Sequence, residues 1–268
     1  MPPNAFAERS LSGIREEMDK RYASDVGPYR LELAWDRARH EVLKRAVVML
    51  ADQWLVFEPT DGDSERRVPT TGLTLDIGCG EAGIADYWPH KNIVGLELSA
   101  VAVEKARAKH PDVAYVAGAI EEFTSERKFD TVVAVETIEH WSDVDRGLEA
   151  VKSVLAPGGS FVVTTPNRDS LHVRVGQRLG ISVPFCSPEH THEFGYEELR
   201  ELLASHGFDV VRSVGVGLAP YWALELEFGN RIRFLTDKNE EIARLLAEAG
   251  EHLPHLAFIQ CHACMVTP

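Results

Sequence analysis

A cluster of two acids and a histidine, Glu136-Thr-Ile-Glu-His-Trp141, follows directly on an apolar run that predicts a buried strand. One helical turn at this point would place Glu136, Glu139 and His140 at positions i, i+3 and i+4 of a single face. His190 and His192, in a later segment, could supply a fourth group. Carboxylates and imidazoles together suit Mn²⁺ or Fe²⁺ somewhat better than Mg²⁺, which prefers oxygen ligands, although availability can decide for Mg²⁺.

Three roles are open to this cluster. Glu136, Glu139 and His140, with one later histidine, are candidate ligands of a divalent cation. Alternatively, His140 is a metal-free general base beside Glu136, or the motif only orders its loop. In all three cases the segment lines a cleft, because it begins where its strand ends.

A second feature, Leu73-Thr-Leu-Asp-Ile-Gly-Cys-Gly-Glu-Ala-Gly83, predicts a buried strand, a glycine turn and the start of a helix. Glycines at 78, 80 and 83 let the backbone approach a ligand without interference from a Cβ atom. Glu97 ends the next apolar run, 19 residues after Gly78, where it could accept hydrogen bonds from both hydroxyls of a ribose. The spacing predicts an adenosine-containing cofactor, although glycines in such turns also serve packing alone.

Two further segments give these motifs their context. Lys128 to Glu136 predicts another buried strand, and Leu155 to Thr165 predicts a turn that leads into a further one. With Asp76 ending the first strand, the order and spacing of the motifs resemble the class I S-adenosylmethionine-dependent methyltransferases over roughly Leu73 to Val214. The resemblance implies S-adenosylmethionine as cofactor, with Gly78 to Gly80 facing its methionine part and Glu97 its ribose. The cofactor-binding residues that it implies are Asp76, Gly78, Cys79, Gly80, Glu97, Leu98, Ala119, Ile120 and Glu136.

One position departs from the family pattern. In Val116-Ala-Gly-Ala-Ile-Glu121 the family often has an acid directly after the glycine, where it contacts the adenine amino group, but this chain has Ala119. Adenine would then be held by backbone groups and by apolar contact from Ile120. Ala119 is expected to lie beside the cofactor without determining specificity.

The acid and histidine cluster carries a narrower resemblance. It is similar to the metal-assisted methyltransferases of small-RNA 2′-hydroxyls, which pair Glu-x-x-Glu-His with a later histidine, and His190 is the best match here. It also resembles UbiG-type phenol O-methyltransferases and sugar O-methyltransferases that hold a divalent cation. The expected metal ligands are therefore Glu136, Glu139, His140 and His190, with His140 and Glu136 as the catalytic residues.

These resemblances favour O-methylation of a hydroxyl on a polar small molecule, a sugar or a phenol. An aliphatic hydroxyl is a poor nucleophile at neutral pH, and a histidine base or a cation would remedy that. One alternative is 2′-O-methylation of a small-RNA 3′ end. Another is a non-catalytic subunit that binds S-adenosylmethionine, an alternative that the intact glycine loop disfavours.

Composition limits the partners. The chain has 268 residues, 44% of them hydrophobic, and carries 42 acids against 28 bases for a formal charge of −14. This charge argues against a large nucleic acid as partner, because such binding depends on Lys and Arg contacts to phosphates. No apolar signal core or long apolar run occurs, so a cytoplasmic protein without a membrane span is expected. Cys261 and Cys264 lie on a predicted strand, where residues three apart point to opposite faces, which disfavours a metal or redox pair.

Alternating strands and helices from Leu73 onward must position both motifs. They predict an α/β, Rossmann-like class I methyltransferase fold, with a mostly parallel seven-stranded sheet covered by helices on both faces. The predicted elements include a helix near Ala82 to Trp88, a helix from Ala100 to Lys109, a strand from Ala114 to Ala117 and a strand from Ser160 to Thr164.

The predicted organisation divides the chain into three regions. Residues 1–57 form an N-terminal helical extension, with an amphipathic helix from about Tyr29 to Trp54 and with Tyr22 and Tyr29 as lid candidates. Residues 58–71 form a linker. The methyltransferase domain, residues 72–268, contains insertions near 166–195 and 219–254; either could shape a substrate pocket, and the second could equally make a homodimer contact.

Overall fold

The computed structural model describes residues 10–23, 34–52, 72–187, 189–218 and 239–267. Its α-helices are α1 Leu11–Ala23, α2 Ala34–Asp52, α3 Ala100–Lys109, α4 Val144–Val154, α5 Leu171–Arg178, α6 Tyr196–Ser205 and α7 Glu240–Glu248. Its strands are β1 Thr74–Ile77, β2 Ile93–Glu97, β3 Ala114–Ala117, β4 Phe129–Val135, β5 Leu155–Pro166, β6 Phe208–Val216 and β7 Ile259–Val266. Short 3₁₀ turns occur at Gly83–Asp86, Ile120–Glu122 and Ile138–His140.

The sheet has seven strands in the order β3-β2-β1-β4-β5-β7-β6, which confirms the predicted fold. Strands β1 to β5 run parallel, whereas β7 pairs antiparallel with both β5 and β6. The chain runs outward from β1 to β3 and then returns to β4 on the other side of β1. Such a reversal opens a crevice beyond the carboxyl ends of the two central strands, which is where ligands bind in open α/β sheets.

Two apolar cores cover the two faces of this sheet. One core contains Trp35, Val42 and Val47 of α2, and the other contains residues of α4 and α6. Strand β7 contributes to both, because Cys261 belongs to the first core and Cys264 to the second. Both cysteines are free and fully buried. The prediction that they point to opposite faces is confirmed.

Several elements differ in extent from their predictions. The helix expected near Ala82 to Trp88 is wrong, because only the 3₁₀ turn Gly83–Asp86 forms. The Asp76 carboxylate accepts a hydrogen bond from the Ile84 N–H at 2.9 Å and so fixes the start of this turn. The strand expected from Ser160 to Thr164 is longer than predicted, because β5 spans Leu155–Pro166. Strand β5 pairs with β7 from Ser160 to Pro166.

The extensions are partly described. Helix α2 buries the predicted apolar stripe at Trp35, Val42 and Ala46, while both expected helix ends and the lid candidate Tyr29 lie outside the described residues. The linker 58–71 also lies outside them. The segment expected as the first insertion contains α5, and the described end of the segment expected as the second contains α7. Helix α7 packs along α2 with an Arg45–Glu248 ion pair at 3.0 Å. Across the described ranges, no helix is both long and apolar enough to span a membrane.

Candidate active site

A cleft of about 650 Å³ lies over the carboxyl ends of β1, β2 and β4. The glycine loop forms one wall, the segment after β4 another, and helix α1 with the loop around residue 189 covers it. Among its lining residues are all the predicted site residues: Asp76, Gly78, Cys79, Gly80, Glu97, Leu98, Ala119, Ile120, Glu136, Glu139, His140 and His190. The sheet reversal therefore brings both sequence motifs into one cavity.

The glycine loop requires glycine for two reasons. Gly78, Gly80 and Gly83 all have positive φ angles, of 69°, 54° and 54°. A Cβ atom on Gly78 would lie 2.4 Å from the Thr137 hydroxyl, and one on Gly83 would lie 1.9 Å from an Asp76 carboxylate oxygen. The turn therefore depends on the missing side chains for its backbone conformation and for its close approach to neighbouring segments.

Two buried carboxylates organise this wall of the cleft. Glu97 accepts hydrogen bonds from the backbone N–H of Gly80 at 3.0 Å and of Ser99 at 2.8 Å, which ties β1 to β2. Each carboxylate oxygen keeps a further lone pair for a hydroxyl donor. Burial raises the pKa of Glu97, and burial raises the pKa of Asp76 to about 7, with the Ile84 N–H opposing the shift and the Glu97 charge adding to it.

The two residues expected to lie beside adenine contribute apolar side chains to the cleft. Ala119 and Ile120 are buried at the start of the 3₁₀ turn Ile120–Glu122. The nearest acid, Glu121, instead accepts hydrogen bonds from the backbone N–H and the hydroxyl of Ser142 at 2.8 and 3.0 Å. Glu121 thus anchors the loop before α4.

Helix α1 closes the cleft through contacts at both of its walls. Asp19 accepts a hydrogen bond from the Ser99 hydroxyl at 2.6 Å, next to the end of β2. Arg21 forms an ion pair with Glu189 on the opposite wall. The lid candidate Tyr22 lies over the glycine loop, since a Cβ atom on Gly80 would be 3.0 Å from its hydroxyl.

Glu136 occupies a strained position at the end of β4. Its φ is +53°, in the left-handed region that non-glycine residues rarely adopt. Thr164 holds it there, because the Glu136 N–H donates to the Thr164 carbonyl at 3.1 Å and the Thr164 hydroxyl donates to the Glu136 carboxylate at 3.1 Å. The helical turn begins only at Ile138, so the expectation that Glu136 shares a helical face with Glu139 and His140 is wrong.

Three of the four predicted metal ligands converge. Within the described residues, ligand atoms of Glu139, His140 and His190 all lie within 4.8 Å of one another, and Glu136 is outside this group. The two imidazole rings meet edge to face with centroids 4.8 Å apart. His192 points elsewhere and pairs with the Glu198 carboxylate at 2.8 Å on the exposed surface.

The environment of this triad controls its protonation. Burial, and next the Glu136 charge, raise the pKa of Glu139, which accepts a hydrogen bond from the Thr165 hydroxyl at 2.9 Å. Burial, and next His190, lower the pKa of His140 to about 3, so this imidazole is neutral at physiological pH. His140 Nδ1 is buried and lacks a hydrogen-bond partner among the described residues.

Comparison with known proteins gives the family. The family described as "Methyltransferase domain" matches residues 55–213. The chain belongs to the class I S-adenosylmethionine-dependent methyltransferases. It is 34% identical over 145 residues to a probable S-adenosylmethionine-dependent methyltransferase of Mycolicibacterium smegmatis, covering 53% of this chain and 54% of that protein.

Two other relatives extend the comparison. A ubiquinone biosynthesis O-methyltransferase of Bradyrhizobium sp. is 31% identical over 163 residues, in an alignment that covers 56% of this chain and 64% of the relative. The matched part of this chain therefore spans 54% of the length of the first relative and 64% of the length of the second. The crystal structure of magnesium protoporphyrin IX methyltransferase from Synechocystis PCC 6803 with bound SAH shares the fold, with a TM-score of 0.57 at 13% identity, covering 97% of this chain and 100% of that one.

The sequence motifs did not reveal two polar residues, one that lines the cleft and one behind it. Arg39 lies on α2, four residues after buried Trp35, with its guanidinium 5.6 Å from the Phe258 ring and its Nε buried without a partner in the described ranges. Its charge counters the effect of burial on the Glu136 pKa. Glu193 lies behind His190 at 2.7 Å. The sequence signal for Arg39 was a basic residue on the apolar stripe of a helix. The signal for Glu193 was its spacing of three residues from His190.

Proposed function

We propose that this methyltransferase transfers a methyl group from S-adenosylmethionine to a hydroxyl of a polar small molecule, a sugar or a phenol. A divalent cation, Mn²⁺ or Mg²⁺, held by Glu139, His140 and His190 would assist the reaction. The observation that carries the proposal is the convergence of these three side chains within 4.8 Å, in the same cleft as the glycine loop and Glu97. The O-methyltransferases among the relatives support the acceptor atom.

The chemistry of the donor set fits a cation. His140 presents a buried nitrogen without a hydrogen-bond partner in the described part of the chain, and leaving such an atom unpaired costs about 1–3 kcal/mol unless a ligand satisfies it. One carboxylate and two neutral imidazoles are ligands suited to Mn²⁺, Fe²⁺ or Zn²⁺. The same low pKa of about 3 makes His140 a weak proton acceptor, which argues against a metal-free base at this residue.

Each residue then has a defined task. A bound cation would lower the pKa of a coordinated hydroxyl, which is the help that an alcohol needs before it attacks a methyl group. Glu97 and the glycine loop would hold the cofactor so that its methyl faces this hydroxyl. Helix α1 would exclude water through its contacts at Ser99 and Glu189. Glu136, fixed by Thr164, would orient the acceptor beside the metal group.

The test is transfer of labelled methyl from S-adenosylmethionine to sugars, phenols and short RNAs, each with Mn²⁺, with Mg²⁺ and with EDTA. We expect label in a small hydroxylated acceptor only when metal is present. Glu139→Gln and His140→Ala should reduce metal-dependent turnover at least about 100-fold, because each removes a direct ligand. His192→Ala is the matched control, since it removes a histidine of the same loop that bonds to exposed Glu198.

Other outcomes would contradict parts of the proposal. Methyl transfer that is insensitive to EDTA would show that the reaction needs no divalent cation. Label in RNA alone would replace the small molecule with a small-RNA 3′ end as the acceptor. Binding of S-adenosylmethionine without transfer to any acceptor of the panel would favour the non-catalytic alternative.

A further inference from the structure

Glu193 is a buried carboxylate in the first insertion that the proposed chemistry does not yet use. Its side chain is 2% exposed, and one carboxylate oxygen accepts a hydrogen bond from His190 Nδ1 at 2.7 Å. The same oxygen accepts the backbone N–H of Cys186 at 2.5 Å, and the other lies 3.8 Å from the Arg168 guanidinium. Three groups, on His190, Cys186 and Arg168, are therefore tied to a single carboxyl group.

The hydrogen bond fixes which nitrogen of His190 carries the proton. A carboxylate can only accept, so Nδ1 must be the donor in the 2.7 Å contact. In a neutral imidazole the other nitrogen then carries the lone pair. Because Glu193 occupies the Nδ1 side of the ring, Nε2 is the nitrogen left to face Glu139 and His140.

The backbone supports this arrangement from the opposite side. Thr191 donates its backbone N–H and its hydroxyl to the Glu139 carbonyl, both at 2.8 Å. The loop that carries His190 is thus joined to the turn that carries Glu139 and His140. Glu193 sets the orientation of the ring, while Thr191 sets the separation of the two segments.

We propose that Glu193 is a positioning residue that holds His190 as the Nδ1–H tautomer, with the Nε2 lone pair directed at Glu139 and His140. This inference rests on the proposed function for its purpose, because that lone pair is the one that would bind the cation. A carboxylate behind a metal-binding histidine also raises the basicity of the ligand, and its loss typically costs about 10–100-fold in metal affinity.

The direct test is the tautomer of His190, read from two-dimensional ¹⁵N–¹H spectra of the metal-free protein at a pH where imidazoles are neutral. His190→Gln assigns the signals. We expect a protonated Nδ1 in the wild type, the same tautomer in Glu193→Gln, whose amide oxygen still accepts, and a shift toward protonated Nε2 in Glu193→Ala. Glu198→Ala is the matched control, because it removes the partner of exposed His192 and should leave the His190 signals unchanged.

Metal binding gives the second readout. Titration calorimetry with Mn²⁺ alone should show affinity lower by about 10–100-fold in Glu193→Ala, by less in Glu193→Gln, and unchanged in Glu198→Ala. A wild-type His190 protonated on Nε2, or a tautomer unaffected by Glu193→Ala in a folded protein, would overturn the role of Glu193. Wild-type protein that binds no Mn²⁺ yet shows the expected tautomer would instead overturn the cation, so the two failures are distinguishable.

Discussion

Replacing Gly83 by alanine tests whether the glycine loop is built around Asp76. The new Cβ atom would lie 1.9 Å from an Asp76 carboxylate oxygen and 2.9 Å from the Cys79 Cβ atom, so Asp76 must move. Movement breaks its 2.9 Å hydrogen bond from the Ile84 N–H. Both the carboxylate and the loop would then lose their positions at the end of β1.

The magnitude follows from three separate costs. A left-handed alanine costs about 1–2 kcal/mol, overpacking about 1–3 kcal/mol, and a lost buried hydrogen bond about 1–3 kcal/mol. We therefore expect Gly83→Ala to lower the free energy of unfolding by about 3–8 kcal/mol. At about 2–4 °C per kcal/mol for a domain of this size, the midpoint of thermal unfolding should fall by at least about 6 °C.

Gly158→Ala is the matched control for this prediction. Gly158 has a φ of +75°, close to that of Gly83, but a Cβ atom there meets nothing within 4 Å. Gly158→Ala should therefore lower the free energy of unfolding only by the cost of a left-handed alanine, about 1–2 kcal/mol. Thermal unfolding by calorimetry, with titration of S-adenosylhomocysteine, compares the two variants. Unfolding midpoints within about 2 °C of each other, or unchanged cofactor affinity in Gly83→Ala, would refute the packing argument.

Two further predictions concern the same wall of the cleft. The pKa of Asp76 rises from 3.8 to about 7 on folding, so the native state binds its proton more tightly and loses stability as pH rises from about 4 to 7. In urea unfolding at several pH values, Asp76→Asn should reduce the dependence of the free energy of unfolding on pH between about 4 and 7. If that dependence is unchanged, it comes from other groups. Asp19→Ala removes the 2.6 Å hydrogen bond from the Ser99 hydroxyl and should speed cofactor dissociation about 5-fold in stopped-flow fluorescence. Glu16→Ala, an exposed change on the same helix, should leave the dissociation rate unchanged. Equal dissociation rates in the two variants would contradict a role of α1 in closing the cleft.

Local signals explain the parts of the fold that the sequence predicted well. Helix α3 spans Ala100–Lys109 as predicted, because the Ser99 hydroxyl accepts the Ala102 N–H and marks its start. Strand β3 spans Ala114–Ala117 as predicted. Short apolar runs between polar turns are sufficient signals for the buried parallel strands, and their order follows from the family.

The remaining features depend on contacts that no local pattern contains. The strained φ of Glu136 is stabilised by Thr164, 28 residues away, so a simple helical turn was the natural expectation. The ion pair between Arg21 and Glu189 joins segments 168 residues apart. The cleft wall formed by the glycine loop was predictable from its glycines and acids. The group of Glu139, His140 and His190 without Glu136 was not, because its geometry depends on tertiary packing.

The position of β7 has a consequence for how this chain acquires its structure during synthesis. Strand β7 lies between β5 and β6, yet residues 217–258 separate it from β6 along the chain. A nascent polypeptide that has released everything up to β6 therefore exposes one free edge on β5 and an unpaired strand nearby. Long-range pairing of this kind is slow and leaves strand edges open to other molecules. Release of β7 from the ribosome is thus the event that seals the sheet, and chaperone demand should be highest just before it.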